Sequence, residues 1–269
     1  MNKLPVSVVI TTFNSEKTIL PAIRSVLLQS KQAGEILVSD NGSDDLTVSI
    51  VEHLQNQFSN IRLVRCLDKK GAAANRDFGI RSACYPVVTH LDADDLFFPE
   101  KIEREYRSLI CQRSVAYSSI VNFSPLLSEC SLIKFDVAMD DLIDTRALMS
   151  RKYGVPRDMM FHKSLYEAVG GFDLELDMFE DLDFKIKLAD FGANYRFSGS
   201  LGTLYYASNG SLSRSDDKLK ADCLERVKAK NNLQEIKPYK LAMGEVFKRR
   251  FSYLTHYKSV RRLFNSVNS

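Results

Sequence analysis

Pro86-Val87-Val88-Thr89-His90-Leu91-Asp92-Ala93-Asp94-Asp95 runs from an apolar, β-branched stretch into three carboxylates, and the reading of this junction decides the fold. The segment from Pro86 to Leu91 predicts a buried strand that stops at Asp92. In open α/β sheets ligands bind outside the carboxyl ends of the strands, so the carboxylates fall where a ligand should sit. Such a cluster repels itself without a cation. Hard divalent ions such as Mg²⁺ take carboxylate and phosphate oxygens together, so an Asp92–Asp94 pair could hold one against a diphosphate. The competing reading is a solvated acidic turn with a helix cap, because short acidic motifs recur by chance.

Outward from this junction the first hundred residues alternate short strand-like runs with helix-period segments, the pattern of a parallel sheet built from βαβ units. Ser7 to Thr12 reads as a buried strand. A cap at Asn14 or Ser15 leads into a helix whose apolar face is Ile19, Ala22, Ile23, Val26 and Leu27. Glu35 to Ser39 is the second strand, followed by turn residues Asn41-Gly42-Ser43 and a helix carrying Val48, Val51, Leu54 and Phe58. Ile61 to Arg65 is the third strand and Gly71 to Ser82 the third helix. Beyond the acidic cluster Pro99 opens a helix whose buried stripe is Ile102, Tyr106, Leu109 and Ile110. Residues 112–160 are less periodic and leave room for antiparallel strands. Order returns with Gly170-Gly171-Phe172, then a helix from about Glu180 to Gly192 and two strand-like pieces, Asn194 to Phe197 and Thr203 to Tyr206. From Asp216 the chain reads as helical, with a break at Pro238.

At 269 residues, with 45% hydrophobic and 26% charged residues, the chain suits one α/β unit with extra elements. A formal charge of +3 implies no nucleic-acid partner. No apolar stretch reaches membrane-spanning length, and Met1 to Pro5 shows no signal core, which together predict a cytoplasmic protein. The five cysteines, Cys66, Cys84, Cys111, Cys130 and Cys223, lack CxxC spacing and read as reduced packing residues. The histidines have no metal-ligand spacing, and His90 reads as a core or interface residue.

Weaker signals surround the acidic cluster. Asp40, at the tip of the second strand, could accept hydrogen bonds from a base or ribose, though a plain turn explains Asp40-Asn41-Gly42-Ser43 equally well. In Gly71-Ala72-Ala73-Ala74-Asn75-Arg76-Asp77-Phe78-Gly79 small residues permit close backbone approach, and Arg76 offers a fork for phosphate or carboxylate oxygens. The chain has neither GxGxxG nor a P-loop, which removes nicotinamide and ATPase readings. Glu180-Asp181-Leu182-Asp183 opens a helix, where carboxylates suit the dipole, but a carboxylate facing a bound donor could also serve as a general base.

Taken in order, Val6 to Asn14, Asp40 to Ser43, Gly71 to Gly79, Asp92-Ala93-Asp94-Asp95, Gly170-Gly171-Phe172-Asp173 and Glu180-Asp181 resemble the inverting family 2 glycosyltransferases of the GT-A fold over roughly residues 5 to 213. The resemblance implies a Rossmann-like, nucleotide-binding mixed sheet flanked by helices. It implies a GT-A unit at 1–213, with a nucleotide half at 1–110 and an acceptor half at 111–213, and a basic helical extension at 214–269. It also implies a nucleoside-diphosphate sugar donor, a uridine one, and a saccharide or lipid-linked acceptor in bacterial surface-polysaccharide assembly. Thr11, Thr12, Phe13, Asn14 and Asp40 would line the nucleotide pocket, and Gly71 and Arg76 would close it. Asp92, Ala93 and Asp94 would form the family's DxD motif, its two carboxylates placing Mg²⁺ or Mn²⁺ on the diphosphate. Asp181 would be the general base, oriented by Glu180.

Two departures accompany the resemblance. Ser208 or Asn209 stands where many members carry a late metal-binding His. Phe184 and Lys185 replace a Trp and an apolar residue, a change expected to affect acceptor shape rather than chemistry. The segment from Lys240 to Phe264 reads as a basic amphipathic helix, which either lies on the inner membrane surface or packs on the catalytic unit with a solvated basic face. A non-catalytic sugar-nucleotide-binding domain and a nucleotidyltransferase are the competing functions.

Overall fold

A computed structural model describes residues 3–68, 71–124, 129–133, 148, 155–206, 217–236, 261–263 and 265–267. Its first half follows the alternation of the sequence. Strands β1 (Leu4–Thr12), β2 (Ala33–Asp40), β3 (Ile61–Arg65) and β4 (Val87–Asp92) are separated by helices α1 (Ile19–Leu27), α2 (Thr47–Gln57) and α3 (Ala72–Ser82). β1 pairs in parallel with both β2 and β4, and β2 with β3. Val6, Val8, Val9 and Ile10 are fully buried because helices cover both faces of a parallel sheet. Helix α1 begins at Ile19 with Thr18 preceding it, several residues beyond the caps expected at Asn14 and Ser15.

The second half carries the antiparallel part. A two-residue strand, β5 (Leu96–Phe97), and helix α4 (Lys101–Ser108) follow the acidic cluster. Then come β6 (Ser114–Ser124), β7 (Glu129–Ile133), β8 (Met160–His162), α5 (Lys163–Ala168), α6 (Glu180–Asp190), β9 (Asn194–Tyr206) and α7 (Asp217–Lys230). The sheet runs β3-β2-β1-β4-β8-β6-β9-β5, with β7 paired to β6. β8 is antiparallel to both β4 and β6, so it splices the parallel half to the mixed half.

Several expectations change. The two strand-like pieces after Gly192 are one strand, β9, whose register against β6 slips between Tyr117 and Ile120. Gly199 sits in that stretch at φ 73°, a left-handed conformation glycine tolerates without a Cβ clash. Pro99 lies two residues ahead of α4, and Ile110 lies past its end and is exposed. Of the expected stripe Ile102 is fully buried, but Lys101 and Glu105 are buried beside it. They tolerate burial because Lys101 Nζ lies 2.6 and 2.7 Å from the two Glu105 oxygens one turn on. Phe58 is 37% exposed, and Cys84 and Cys111 are exposed, whereas Cys66 and Cys223 pack inside.

The carboxy-terminal part docks on the α/β unit. Val227 of α7 joins the main core, and Asn231 Nδ2 donates to the fully buried Asp183 at 3.1 Å. Leu263 and Val267 pack with Leu96, Phe98, Val121 and Leu204, while Arg24 Nη1 donates to the Val267 carbonyl at 3.1 Å. Arg261 and Arg262 are exposed. The other basic residues of the expected amphipathic helix, Lys240, Lys248, Arg249, Arg250 and Lys258, lie outside the described residues. Among the described residues no helix is long and apolar enough to cross a membrane.

Candidate active site

The carboxyl ends of β1, β2 and β4 form one rim, and the acidic cluster stands on it. Asp92 ends β4 opposite Thr11 of β1, whose Oγ1 donates to Asp92 Oδ1 at 2.9 Å. Ala93 is buried, and its N–H donates to the Thr11 carbonyl. Asp92, Asp94 and Asp95 each offer an oxygen within 4.8 Å of the others, close enough for one cation.

The cluster does not stand uncompensated, as its sequence suggested. Arg76, one turn into α3 and buried, sends Nη2 to both Asp92 oxygens at 3.0 and 2.9 Å. Arg157 Nη2 lies 2.9 Å from Asp92 Oδ2 and 2.5 Å from Asp95 Oδ2. Burial works to raise the Asp92 pKa, but the guanidiniums of Arg157 and Arg76 override it and hold the carboxyl well below the usual range. Asp94 shows the opposite balance, since burial and the neighbouring Asp92 charge push it up. The three carboxylate oxygens lie close enough together to share one hard cation, so the Asp92–Asp94–Asp95 group fits a divalent ion.

Arg76 also ties the two halves together. Its Nη1 donates to Glu180 at the start of α6, so one side chain spans from the strand tip to that helix. Burial raises Glu180 against the pull of Arg76. Asp181, next along, has 29% of its side chain exposed, and its Oδ2 accepts from Lys185 Nζ at 2.6 Å. Burial would raise Asp181, but Lys185 overrides it and, with Arg76 and Arg157 adding to the pull, brings it down to about 2. Arg76 thus joins Asp92 to Glu180, and Asp181 follows Glu180 in the first turn of α6.

The residues expected to line a nucleotide pocket occupy the same rim. Asn75 Nδ2 donates to the carbonyls of Thr12 at 3.2 Å and Ser39 at 2.9 Å, which locks α3 onto the tips of β1 and β2. Gly71 precedes α3 at φ 110°, and its N–H donates to Asn41 Oδ1 at 2.9 Å. Thr12 is buried, and its hydroxyl has no partner among the described residues. Phe13 is 57% exposed, and Asn14 adopts a left-handed φ of 47° with its N–H on Ser43 Oγ. The Asp40 carboxylate is fully buried and already engaged. It accepts from the N–H groups of Gly42 and Ser43 and the Ser43 hydroxyl, and it pairs with Arg65 Nε at 2.9 Å. In this arrangement Asp40 shapes the turn that follows β2.

Two readings of α6 change. Phe184 is buried against Phe161, Tyr166 and Phe172, so it is a core residue and shapes no acceptor pocket. Lys185 Nζ lies 2.6 Å from Asp181 Oδ2, so it faces the candidate base. Arg157 and Asp158 were missed altogether, since they lie in the stretch with least periodicity. An Arg-Asp pair immediately before the apolar Met159-Met160-Phe161 was the available signal. His90 is buried as expected, its ring edge-on to Phe172, with neither nitrogen partnered among the described residues. Burial and the Arg76 charge lower its pKa to about 3, so it is a neutral core residue beneath the cluster.

A mixed α/β sheet carrying acidic strand tips at the point where parallel strands give way to antiparallel ones is the architecture of the GT-A class. The chain belongs to glycosyl transferase family 2, whose sequence model matches residues 7–167. It is similar to the succinoglycan biosynthesis protein ExoU of Rhizobium meliloti (strain 1021), 26% identical over 223 residues that cover 78% of this chain and 64% of that protein. It is also similar to the UDP-Glc:alpha-D-GlcNAc-diphosphoundecaprenol beta-1,3-glucosyltransferase WfgD of Escherichia coli, 32% identical over 117 residues covering 44% of this chain and 45% of WfgD. The chain thus spans less than two thirds of the length of either relative. Among solved structures, S. aureus TarS 1-349 superimposes with a TM-score of 0.67 at 18% identity, covering 95% of this chain and 72% of that one. The same TarS fragment in complex with UDP-GlcNAc gives 0.68 at 20% identity, over 95% of this chain and 73% of that one. These likenesses establish the GT-A fold.

Proposed function

We propose that the protein transfers a sugar from a nucleoside-diphosphate sugar, a uridine one, to an acceptor hydroxyl with inversion at the sugar carbon, in the assembly of a bacterial surface polysaccharide or glycoconjugate. The observation that carries this reading is the Arg76 bridge, which joins the Asp92 end of the acidic cluster to Glu180 beside Asp181. The relatives support the setting, since ExoU is a succinoglycan biosynthesis protein and WfgD uses UDP-Glc on a diphosphoundecaprenol-linked sugar. A UDP-GlcNAc complex of TarS supports a uridine donor.

In this mechanism the rim made by Thr11 to Asn14, Asp40 and Gly71 receives the nucleotide. Asp92 and Asp94 would hold Mg²⁺ or Mn²⁺, with Asp95 completing the group; when bound, such an ion neutralises negative charge on the departing diphosphate. Asp181 takes the proton of the acceptor hydroxyl as that oxygen bonds to the sugar carbon, and the carbon–oxygen bond to the diphosphate breaks on the opposite face. Arg76 fixes Glu180, and so the start of α6, relative to the cluster. The acceptor is a saccharide or lipid-linked sugar, met at the cytoplasmic face, with the exposed Arg261 and Arg262 able to approach an anionic membrane surface.

The test is Asp181→Asn. It should bind UDP with near-normal affinity while transfer falls at least about a hundredfold, the loss expected for a missing general base. Transfer at the wild-type rate would remove Asp181 from this role. A wild-type protein that binds UDP-sugars but turns over no acceptor would be a binding module, and release of pyrophosphate would mark a nucleotidyltransferase.

A further inference from the structure

Arg157 neutralises part of the acidic cluster, yet only one of its nitrogens is spent doing so. Nη2 makes both carboxylate contacts, to Asp92 and Asp95. Among the described residues Nε and Nη1 have no hydrogen-bond partner, and 31% of the side chain is exposed. The guanidinium is nevertheless held firmly. Its carbon lies 4.6 Å from the centre of the Tyr205 ring, a cation–π seat. Tyr205 is itself anchored, because its hydroxyl donates to Asp158 Oδ1 at 2.6 Å. Asp158 is buried, accepts from the Thr203 hydroxyl, and has Lys101 Nζ 3.5 Å from Oδ2. A planar, permanently charged fork is thus oriented on a rigid support at the cluster, with two N–H-bearing nitrogens still to give. A residue that served only as a counter-ion to Asp92 and Asp95 would have no need of that spare capacity or of an aromatic seat.

We propose that Arg157 is a donor-binding residue whose free guanidinium N–H groups take phosphate oxygens of the nucleoside diphosphate, so that part of the donor's affinity survives removal of the divalent ion. Arginine suits this task because its fork matches paired phosphate oxygens, which an ammonium does not. The inference rests on the donor class proposed above and adds to it a residue and a consequence. Donor binding here depends less steeply on Mn²⁺ than an acidic pair acting alone would make it.

The experiment is calorimetric titration of UDP and of uridine into the wild-type chain, Arg157→Ala, Arg157→Gln and Arg157→Lys, with Mn²⁺ and with EDTA. Wild type should bind UDP in both conditions, more weakly in EDTA. Arg157→Ala should weaken UDP by about tenfold or more in EDTA, the loss expected for charge-assisted hydrogen bonds. Arg157→Lys should recover part of it. Uridine, which has no phosphate, should bind wild type and variants alike, and Mn²⁺ alone should bind Arg157→Ala at least as tightly as wild type. Arg157→Gln keeps the length and a polar end, so its UDP loss decides the matter if the alanine variant folds poorly. Unchanged UDP affinity in EDTA overturns the inference, and so does an equal loss for uridine, which would mark a purely structural counter-ion. A wild-type chain that binds no UDP in either condition overturns the donor reading along with it.

Discussion

Lys185→Met separates two demands that the proposed general-base role places on Asp181, that it be ionised and that it be basic. Lys185 Nζ lies 2.6 Å from the Asp181 carboxylate and holds its pKa down to about 2. At that spacing the attraction is about 6 kcal/mol for an effective dielectric of about 20, an upper figure that solvent at the partly exposed Asp181 reduces. With the ammonium gone, Arg76 and Arg157 alone oppose burial, and Asp181 should titrate higher than in wild type. Loss of the whole depression, from about 2 to the ordinary 3.8, would be worth about 2.4 kcal/mol between the two protonation states and bounds the effect from above. Methionine has a similar length and Lys185 is largely buried, so packing is conserved. A profile of kcat/KM for sugar transfer between about pH 4 and 9 reads the free enzyme's essential groups. Only the ionised carboxylate accepts a proton, so raising its pKa makes activity fail sooner on acidification. Raised Asp94 and Glu180 titrate on the acid side in both proteins, so the comparison decides: Lys185→Met should lose activity at a higher pH than wild type on acidification while remaining active at neutrality. Superimposable profiles would refute the argument that Lys185 sets the state of the base.

The remaining predictions concern the cluster and the core. Asp94→Ala should weaken Mn²⁺-dependent UDP binding while leaving binding in EDTA close to wild type, and equal calorimetric affinities with Mn²⁺ would count against the acidic pair. Glu35, held by Ser7, the Cys84 N–H and Arg62, has its pKa lowered by those contacts against the opposing pull of burial. Its folded value lies below its unfolded one, so its stabilisation is present above about pH 4.5 and lost as pH falls through the folded value. Glu35→Gln should therefore cost about 1–3 kcal/mol in urea melts at neutral pH, and the gap should close on acidification. Phe184→Ala empties a site ringed by Phe161, Tyr166 and Phe172 and should cost about 3–5 kcal/mol of stability, whereas an acceptor-facing residue would change KM and leave the melt alone.

The parallel half was legible because its signals are local. Ile61–Arg65 matches the expected strand at both ends, and Val8 to Ile10 are buried as their β-branched run implied. The mixed half was not, because its order is set by long-range pairing. β5 is two residues long, and β9 changes register against β6 partway along. No periodicity announces either. The buried Lys101–Glu105 pair runs against the usual pattern, since charged residues enter a core only when partners distant in sequence, here Ser118 and Asp158, receive them. The site divides in the same way. Three aspartates in four residues are visible in any reading, but Arg157 reaches Asp95 across 62 positions of sequence. Lys185 was the avoidable miss, because positions four apart on a helix face each other and Asp181 and Lys185 carry opposite charges.

What the proposed chemistry requires above all is a nucleotide seated on the tips of β1, β2 and β4 with its phosphates at the acidic cluster. A crystal of the protein grown with UDP and MnCl₂ reads this directly through the anomalous signal of manganese. The expected map places the metal on Asp94 together with Asp92 or Asp95, and the uracil by Thr11 to Asn14. Nucleotide density elsewhere, such as the groove between Arg24, Phe58 and Asn60 at the opposite end of the strands, would contradict the account.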